Sequence, residues 1–253
     1  MKVEGLAAIV TGGASGLGGA TAAHLAGLGA KVTIFDLNTD VGEAHAVKIG
    51  GHFAHVDVTD EAGVSKAIEE AEAVNGKARI LVNCAGIAPP KKVIDREGAP
   101  IPLADFTKLV NINLIGSFNV LSKFAARIHD ADPIGGERGV VISTSSVAAY
   151  EGQIGQAAYA ASKAGVAGMT LPIAREFARY GIRVMTIAPG LFLTPLLEGL
   201  PQEAQDSLGK QVPFPNRLGK PDEYAMLVES IIANPMLNGE TIRLDGAIRM
   251  APK

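Results

Sequence analysis

Seven short runs of branched and apolar residues, at positions 7–11, 31–35, 52–56, 80–83, 140–143, 183–187 and 241–244, punctuate the chain. Most are separated by longer stretches with helical periodicity. Ala20, Ala23, His24, Gly27 and Leu28 form such a series, and Gly29 follows as a helix stop. Continuous apolar runs alternating with helices predict parallel strands buried on both faces, because right-handed crossovers lay helices over each side of the sheet. The expected fold is α/β: a single-domain, Rossmann-type, doubly wound parallel sheet of about seven strands with helices on both faces. Ligands in such folds bind beyond the carboxyl ends of the strands, so the chemistry should sit just after them.

Two segments break the alternation: 87–102, with Pro89, Pro90, Pro100 and Pro102, and 191–215, after the sixth run. Long connections in a compact domain are commonly functional, and 191–215 reads as a lid. No repeat or linker divides the chain. Residues 1–253 are expected to form one domain, with the dinucleotide site mainly in 1–115 and the catalytic and substrate elements mainly in 113–253.

Composition narrows the function classes. Apolar residues make up 47% of the chain and tryptophan is absent, so a large core would be built from small and branched side chains. The formal net charge of −3 lacks the basic excess of a nucleic-acid binder. There is no uninterrupted apolar run of about 18 residues to cross a bilayer, and the amino terminus enters a strand without the regions of a signal peptide. The expectation is a cytoplasmic protein with a small-molecule substrate, no membrane and no nucleic acid. Cys84 is the single cysteine, which excludes an intrachain disulfide. The histidines (His24, His45, His52, His55, His129) lack metal-ligand spacing, so no metal is expected.

The first run leads into Thr11-Gly12-Gly13-Ala14-Ser15-Gly16-Leu17-Gly18, whose glycines let the backbone approach a pyrophosphate while a helix amino terminus faces its charge. Gly12, Ser15, Gly16, Leu17 and Gly18 are the candidate contacts. Asp36 ends the second run, where a carboxylate accepts hydrogen bonds from ribose hydroxyls and repels a 2′-phosphate. Leu37, Asn38, Gly13, Ala14 and Ser15 offer no cation for that phosphate, so NAD is preferred to NADP. Asp57 and Val58 after the third run, and Asn83, Cys84, Ala85 and Gly86 after the fourth, lie on the rim where adenine and ribose would rest. Asp57 is equally placed to cap a helix.

Tyr159 and Lys163 stand four residues apart on one face of an expected helix. A nearby lysine and a bound nicotinamide cation would both favour the phenolate, turning a phenol of pKa about 10 into a usable general base. Ser146 lies thirteen residues earlier, after the strand-like run 139–144, within reach of the same crevice, and its hydroxyl can donate to a carbonyl. Ser143 and Ser145 compete with it by position. Ser146 and Tyr159 are the expected substrate contacts.

These motifs, in this order, resemble the short-chain dehydrogenase/reductase family over essentially the whole chain. The resemblance implies that Ser146, Tyr159 and Lys163 are catalytic, and adds Asn113, which helps hold a water near Lys163; Asn111 is close enough to compete. It also implies dinucleotide contacts from Tyr159, Lys163, Pro189, Gly190, Phe192 and Thr194, and a homotetramer. Stretches 146–153, 170–175, 212–219 and 238–250, with Ala247 replacing a glycine usual in the wider family, are similar to the subgroup acting on 3-hydroxyacyl-CoA thioesters. That implies reversible hydride transfer between a secondary alcohol and NAD. Hydroxysteroid or general alcohol dehydrogenation, 3-oxoacyl-carrier-protein reduction, and a non-catalytic assembly or nucleotide-sensing role are the alternatives. Segment 191–200 could cover an acyl chain or steroid, or serve as plain core. Lys91, Lys92 and Arg96 are either a solvated charged loop or contacts for coenzyme A phosphates.

Overall fold

A computed structural model of the chain describes residues 1–252, with the side chain of Leu196 outside the described residues. Seven strands form one parallel sheet: β1 (Ala7–Thr11), β2 (Lys31–Asp36), β3 (His52–His55), β4 (Ala78–Asn83), β5 (Gly139–Thr144), β6 (Ile182–Pro189) and β7 (Thr241–Leu244). Their order is β3-β2-β1-β4-β5-β6-β7, so the chain reverses direction across the sheet between β1 and β4. That switch point opens a crevice at the carboxyl ends of the two strands.

Alternating side chains divide the strands between two cores. Ile9, Phe35, Leu81 and Val141 point to one side. They meet α3 (Glu61–Asn75), α5 (Gly116–Ile128) and α6 (Ala157–Phe177). Ala8, Val10, Ile34, Val82 and Ile142 point to the other. There they meet α1 (Gly16–Gly27), α2 (Thr39–Ile49) and α9 (Pro221–Ala233). Burial of this branched surface on both faces is the main favourable term in folding. Gly29 takes a φ of 86° and donates to Ala26 O, ending α1 as its position in the sequence implied.

The stretch Leu103–Ile128, comprising α4 (Leu103–Val110), one turn of π-helix and α5, is long and apolar enough to cross a membrane by length and composition alone. Its Val120, Leu121, Phe124 and Ile128 instead belong to the core beneath the sheet. Both irregular segments contain more order than expected. Segment 191–215 carries α7 (Pro195–Glu198) and α8 (Gln202–Gly209), each begun beside a proline and too short to show periodicity. Segment 87–102 folds back on itself: Ile101 N donates to Val93 O, and Asp95 Oδ1 accepts from Ala99 N at 2.8 Å.

Candidate active site

Two turns face one another across the switch point. Thr11, the last residue of β1, accepts at Oγ1 from both Cys84 N and Ala85 N, each at 3.2 Å. The glycine turn is thereby stitched to the turn after β4. A Cβ on Gly12 would lie 2.7 Å from Ala85 N, and one on Gly18 would lie 2.2 Å from Gly12 O. Only glycine permits this packing, and it leaves the amino end of α1 open to a ligand. Ser15 heads α1 without a side-chain capping bond, so its exposed hydroxyl is available.

Asp36, at the end of β2, accepts from Ala14 N at 3.1 Å and Asn38 N at 3.0 Å. It orders the glycine turn and the residues beyond β2, and lone pairs remain for ribose hydroxyls. Thr194 and Pro195 approach the same turn from the start of the lid: a Cβ on Gly16 would meet Pro195 Cδ at 3.4 Å and Thr194 Cγ2 at 3.8 Å. The residues present therefore fit a dinucleotide.

Of the two roles open to Asp57, the structure removes one. Asp57 does not cap α3; Asp60 does, accepting from Ala62 N at 3.1 Å. Asp57 instead accepts from Thr59 N and Thr59 Oγ1, at 2.8 and 2.7 Å, in an exposed turn. Val58 sends its side chain into the core against Gly116, and Asn119 takes its carbonyl at 2.8 Å. Phe192 is buried against Gly219. Pro189 ends β6, and Gly190 donates to Leu244 O where a side chain would strike Asp245.

The proposed acid–base residues gather after β5. Ser146 begins the short helical turn Val147–Ala149 and accepts from Ala148 N at 3.1 Å. Ser145 is committed elsewhere, donating to Lys163 O at 2.7 Å, and Ser143 is buried within the sheet. The three-way choice therefore falls on Ser146. Burial raises the pKa of Tyr159, and the neighbouring Ser146 hydroxyl opposes that effect.

Lys163 is buried beneath this pair. Its Nζ donates to Thr144 O at 2.7 Å and lies 5.9 Å from the centre of the Tyr159 ring. Desolvation lowers its pKa to about 8. With no dinucleotide bound, burial dominates both groups, raising the pKa of the phenol and lowering that of the ammonium. Asn113 sits in the π turn and is fully buried. It accepts from Ile87 N, donates to Ile87 O, both at 2.9 Å, and donates to Ser162 Oγ at 3.1 Å. Asn111 is exposed, which decides between the two asparagines. A Cβ on Gly86 would lie 3.0 Å from Asn113 Oδ1 and 3.5 Å from Lys163 Nζ, so this glycine lets the turn after β4 close over both.

Beside the start of α6 opens a pocket of ≈ 450 Å³, lined by Val93, Ile94, Gly152, Ile154, Ala157 and Ala160 among others. Lys91 N, donating to Gly155 O at 2.8 Å, holds the 87–102 segment against it. Sequence reasoning had not placed 152–157 at the site; its one signal is Gly152, where a Cβ would come within 2.9 Å of Ala160 Cβ. Of the three loop cations, Lys91 is paired with Asp105, whereas Lys92 lines the pocket. Among the described residues no cluster of histidine, cysteine and acidic side chains could hold a metal.

Parallel strands with a glycine turn at the switch point, and a serine, tyrosine and lysine converging after β5, define a dehydrogenase. The chain belongs to the short chain dehydrogenase family, whose model matches residues 6–205. It is 55% identical over 255 residues to the human 3-hydroxyacyl-CoA dehydrogenase type-2, covering 99% of this chain and 98% of that one. The Drosophila melanogaster protein of the same name is 50% identical over 254 residues, covering 99% of this chain and all of that one. The crystal structure of 3-hydroxyacyl-CoA dehydrogenase type-2 from Mycobacterium avium superposes with a TM-score of 0.95 at 44% identity, covering 98% of each chain. Family and relatives together imply a nicotinamide cofactor.

Proposed function

We propose that this chain interconverts 3-hydroxyacyl-CoA and 3-oxoacyl-CoA thioesters with NAD as the hydride carrier, acting in the cytoplasm as a homotetramer. The observation that carries the reading is the meeting of Ser146, Tyr159 and buried Lys163 beside an apolar pocket, in a chain similar end to end to dehydrogenases named for that substrate. Asp36, placed to accept from ribose hydroxyls and to repel a 2′-phosphate, supports NAD over NADP.

When bound, the dinucleotide supplies a hydride acceptor and a positive charge. The protein's own groups do the rest. Tyr159 Oη takes the alcohol proton as the carbonyl forms, and returns it in the reverse direction. Ser146 Oγ donates to the substrate oxygen. Lys163 keeps one hydrogen on Thr144 O and has two others free for a ribose and for stabilising the phenolate. Asn113 fixes the Ile87 peptide beneath the crevice. In this reading the pocket receives apolar substrate carbons, and Lys92, which lines it, supplies a cation to a coenzyme A phosphate.

The test is turnover with NAD and with NADP against 3-hydroxyacyl-CoAs of several chain lengths, hydroxysteroids and simple secondary alcohols. Preference for an acyl-CoA with NAD is expected. Equal kcat/KM across the three alcohol classes would overturn the substrate assignment.

A further inference from the structure

Tyr224 has no place in the reaction just described, yet its hydroxyl lies directly behind the site. It is the largest of the fully buried side chains, carried on α9 into the core that covers β4 and β5. Packing alone would be served by phenylalanine; a buried hydroxyl persists only where it is hydrogen-bonded. Tyr224 Oη lies 2.7 Å from Thr144 Oγ1 and 3.8 Å from Cys84 Sγ.

Thr144 Oγ1 has one hydrogen and two acceptors within reach, Asn83 O at 2.6 Å and Cys84 Sγ at 3.4 Å. The short contact to the stronger acceptor takes it, which leaves Thr144 to accept from Tyr224. Tyr224 then accepts from the Cys84 thiol. The resulting chain, Cys84 to Tyr224 to Thr144 to Asn83, closes across the carboxyl ends of β4 and β5. Thr144 is also the residue whose carbonyl holds Lys163 Nζ. Burial raises the pKa of both Tyr224 and Cys84, which keeps them protonated as donors.

The end of α9 that bears Tyr224 is itself fixed. The adjacent Glu223 caps the helix by accepting from Lys220 N at 2.7 Å and is gripped by the Arg217 guanidinium at 2.6 and 2.9 Å. Arg217 precedes Gly219, which donates to Leu191 O and accepts from Leu193 N at the root of the lid.

We propose that Tyr224 is a positioning residue for the dehydrogenase reaction: by donating to Thr144 Oγ1 it fixes the Thr144 peptide, and so sets where the Lys163 ammonium stands relative to Tyr159. This rests on the reading of Lys163 as the partner of the Tyr159 phenolate. If the peptide is released, the lysine stabilises the phenolate less well, and a higher pH is needed to form it.

The experiment compares Tyr224→Phe, Thr144→Val, the double variant and Lys163→Ala with the parent protein, following kcat, KM and melting temperature across pH. For Tyr224→Phe, kcat should fall about three- to tenfold, the size of one lost hydrogen bond. For alcohol oxidation the acidic limb of its pH profile should move to higher pH, and KM for the dinucleotide should stay within about twofold. Thr144→Val should show the same signature, and the double variant no more than the larger single effect. A Tyr224→Phe protein that melts earlier but keeps the parental kcat and pH profile would show a structural role only and overturn the proposal. So would additive effects in the double variant. If Lys163→Ala also keeps parental kinetics, the reading of Lys163 fails as well, which separates the two failures.

Discussion

Lys163 Nζ donates to the carbonyl of Thr144 at 2.7 Å, while the centre of the Tyr159 ring is 5.9 Å away. The lysine is therefore anchored to the end of β5, and the phenol of Tyr159, its partner in the proposed reaction, is a second neighbour. This places a cation under the crevice before any ligand arrives, at a cost in desolvation that lowers its pKa to about 8.

That cost gives a stability prediction. The lysine titrates near 10.5 when exposed and near 8 when folded, so between these values the unfolded chain binds more protons and stability from this group rises with pH. The full penalty is felt below about pH 8. Lys163→Met should be inactive yet more stable than the parent at pH 7, by about 1 kcal/mol after the lost hydrogen bond is counted. The advantage should shrink as pH approaches 10. Chemical denaturation at both pH values checks it; an advantage that grows with pH contradicts it.

Asp36 combines two jobs, ordering Ala14 and Asn38 and presenting negative charge. Asp36→Asn keeps a hydrogen-bonding side chain and removes the charge. The ratio of kcat/KM for NADP to that for NAD should rise about tenfold or more, as expected when one charged contact stops discriminating. Steady-state kinetics with both cofactors decide; an unchanged ratio removes Asp36 as the selector.

Glycine positions separate space from flexibility. Gly18→Ala would push a Cβ to 2.2 Å from Gly12 O and should abolish dinucleotide binding or folding. Gly27→Ala, with no atom within 4 Å of its Cβ, should stabilise α1 by about 0.5–1 kcal/mol. Melting temperature and NADH fluorescence on the two variants distinguish them.

Ala247 holds a left-handed φ of 68°, with its N–H donating to Asp245 Oδ1 at 2.9 Å. Ala247→Gly should raise stability by about 1 kcal/mol and leave kinetics unchanged. A lower melting temperature would show that the methyl group packs against something worth more than the strain.

Much of this organisation was legible in the chain. The boundaries of β1 follow from its branched run, because a central strand buried on both faces is uninterrupted; the run at 241–244 also marks β7, which is half-buried at the sheet edge. The glycine turn, Asp36 and the pairing of Tyr159 with Lys163 are local patterns tied to strand ends and helix periodicity. What was hidden is non-local. Thr144 and Tyr224 are 80 residues apart and meet only because α9 packs across β4 and β5. Val58 was expected on the rim from its place after the third run, and Phe192 as a contact from the family resemblance; the backbone turns both side chains into cores. The raised pKa of Tyr159 could not be read from its neighbours in sequence, since burial outweighs them.

In the proposed reaction Tyr159 Oη exchanges the proton with the substrate. Tyr159→Phe removes that one oxygen and leaves the ring. Measured with the best acyl-CoA substrate and NAD, kcat should fall at least about 10²-fold, the low end for loss of a general acid–base, while NADH affinity by fluorescence stays within about threefold. Turnover within a few fold of the parent, with NADH still bound, would show that another group exchanges the proton.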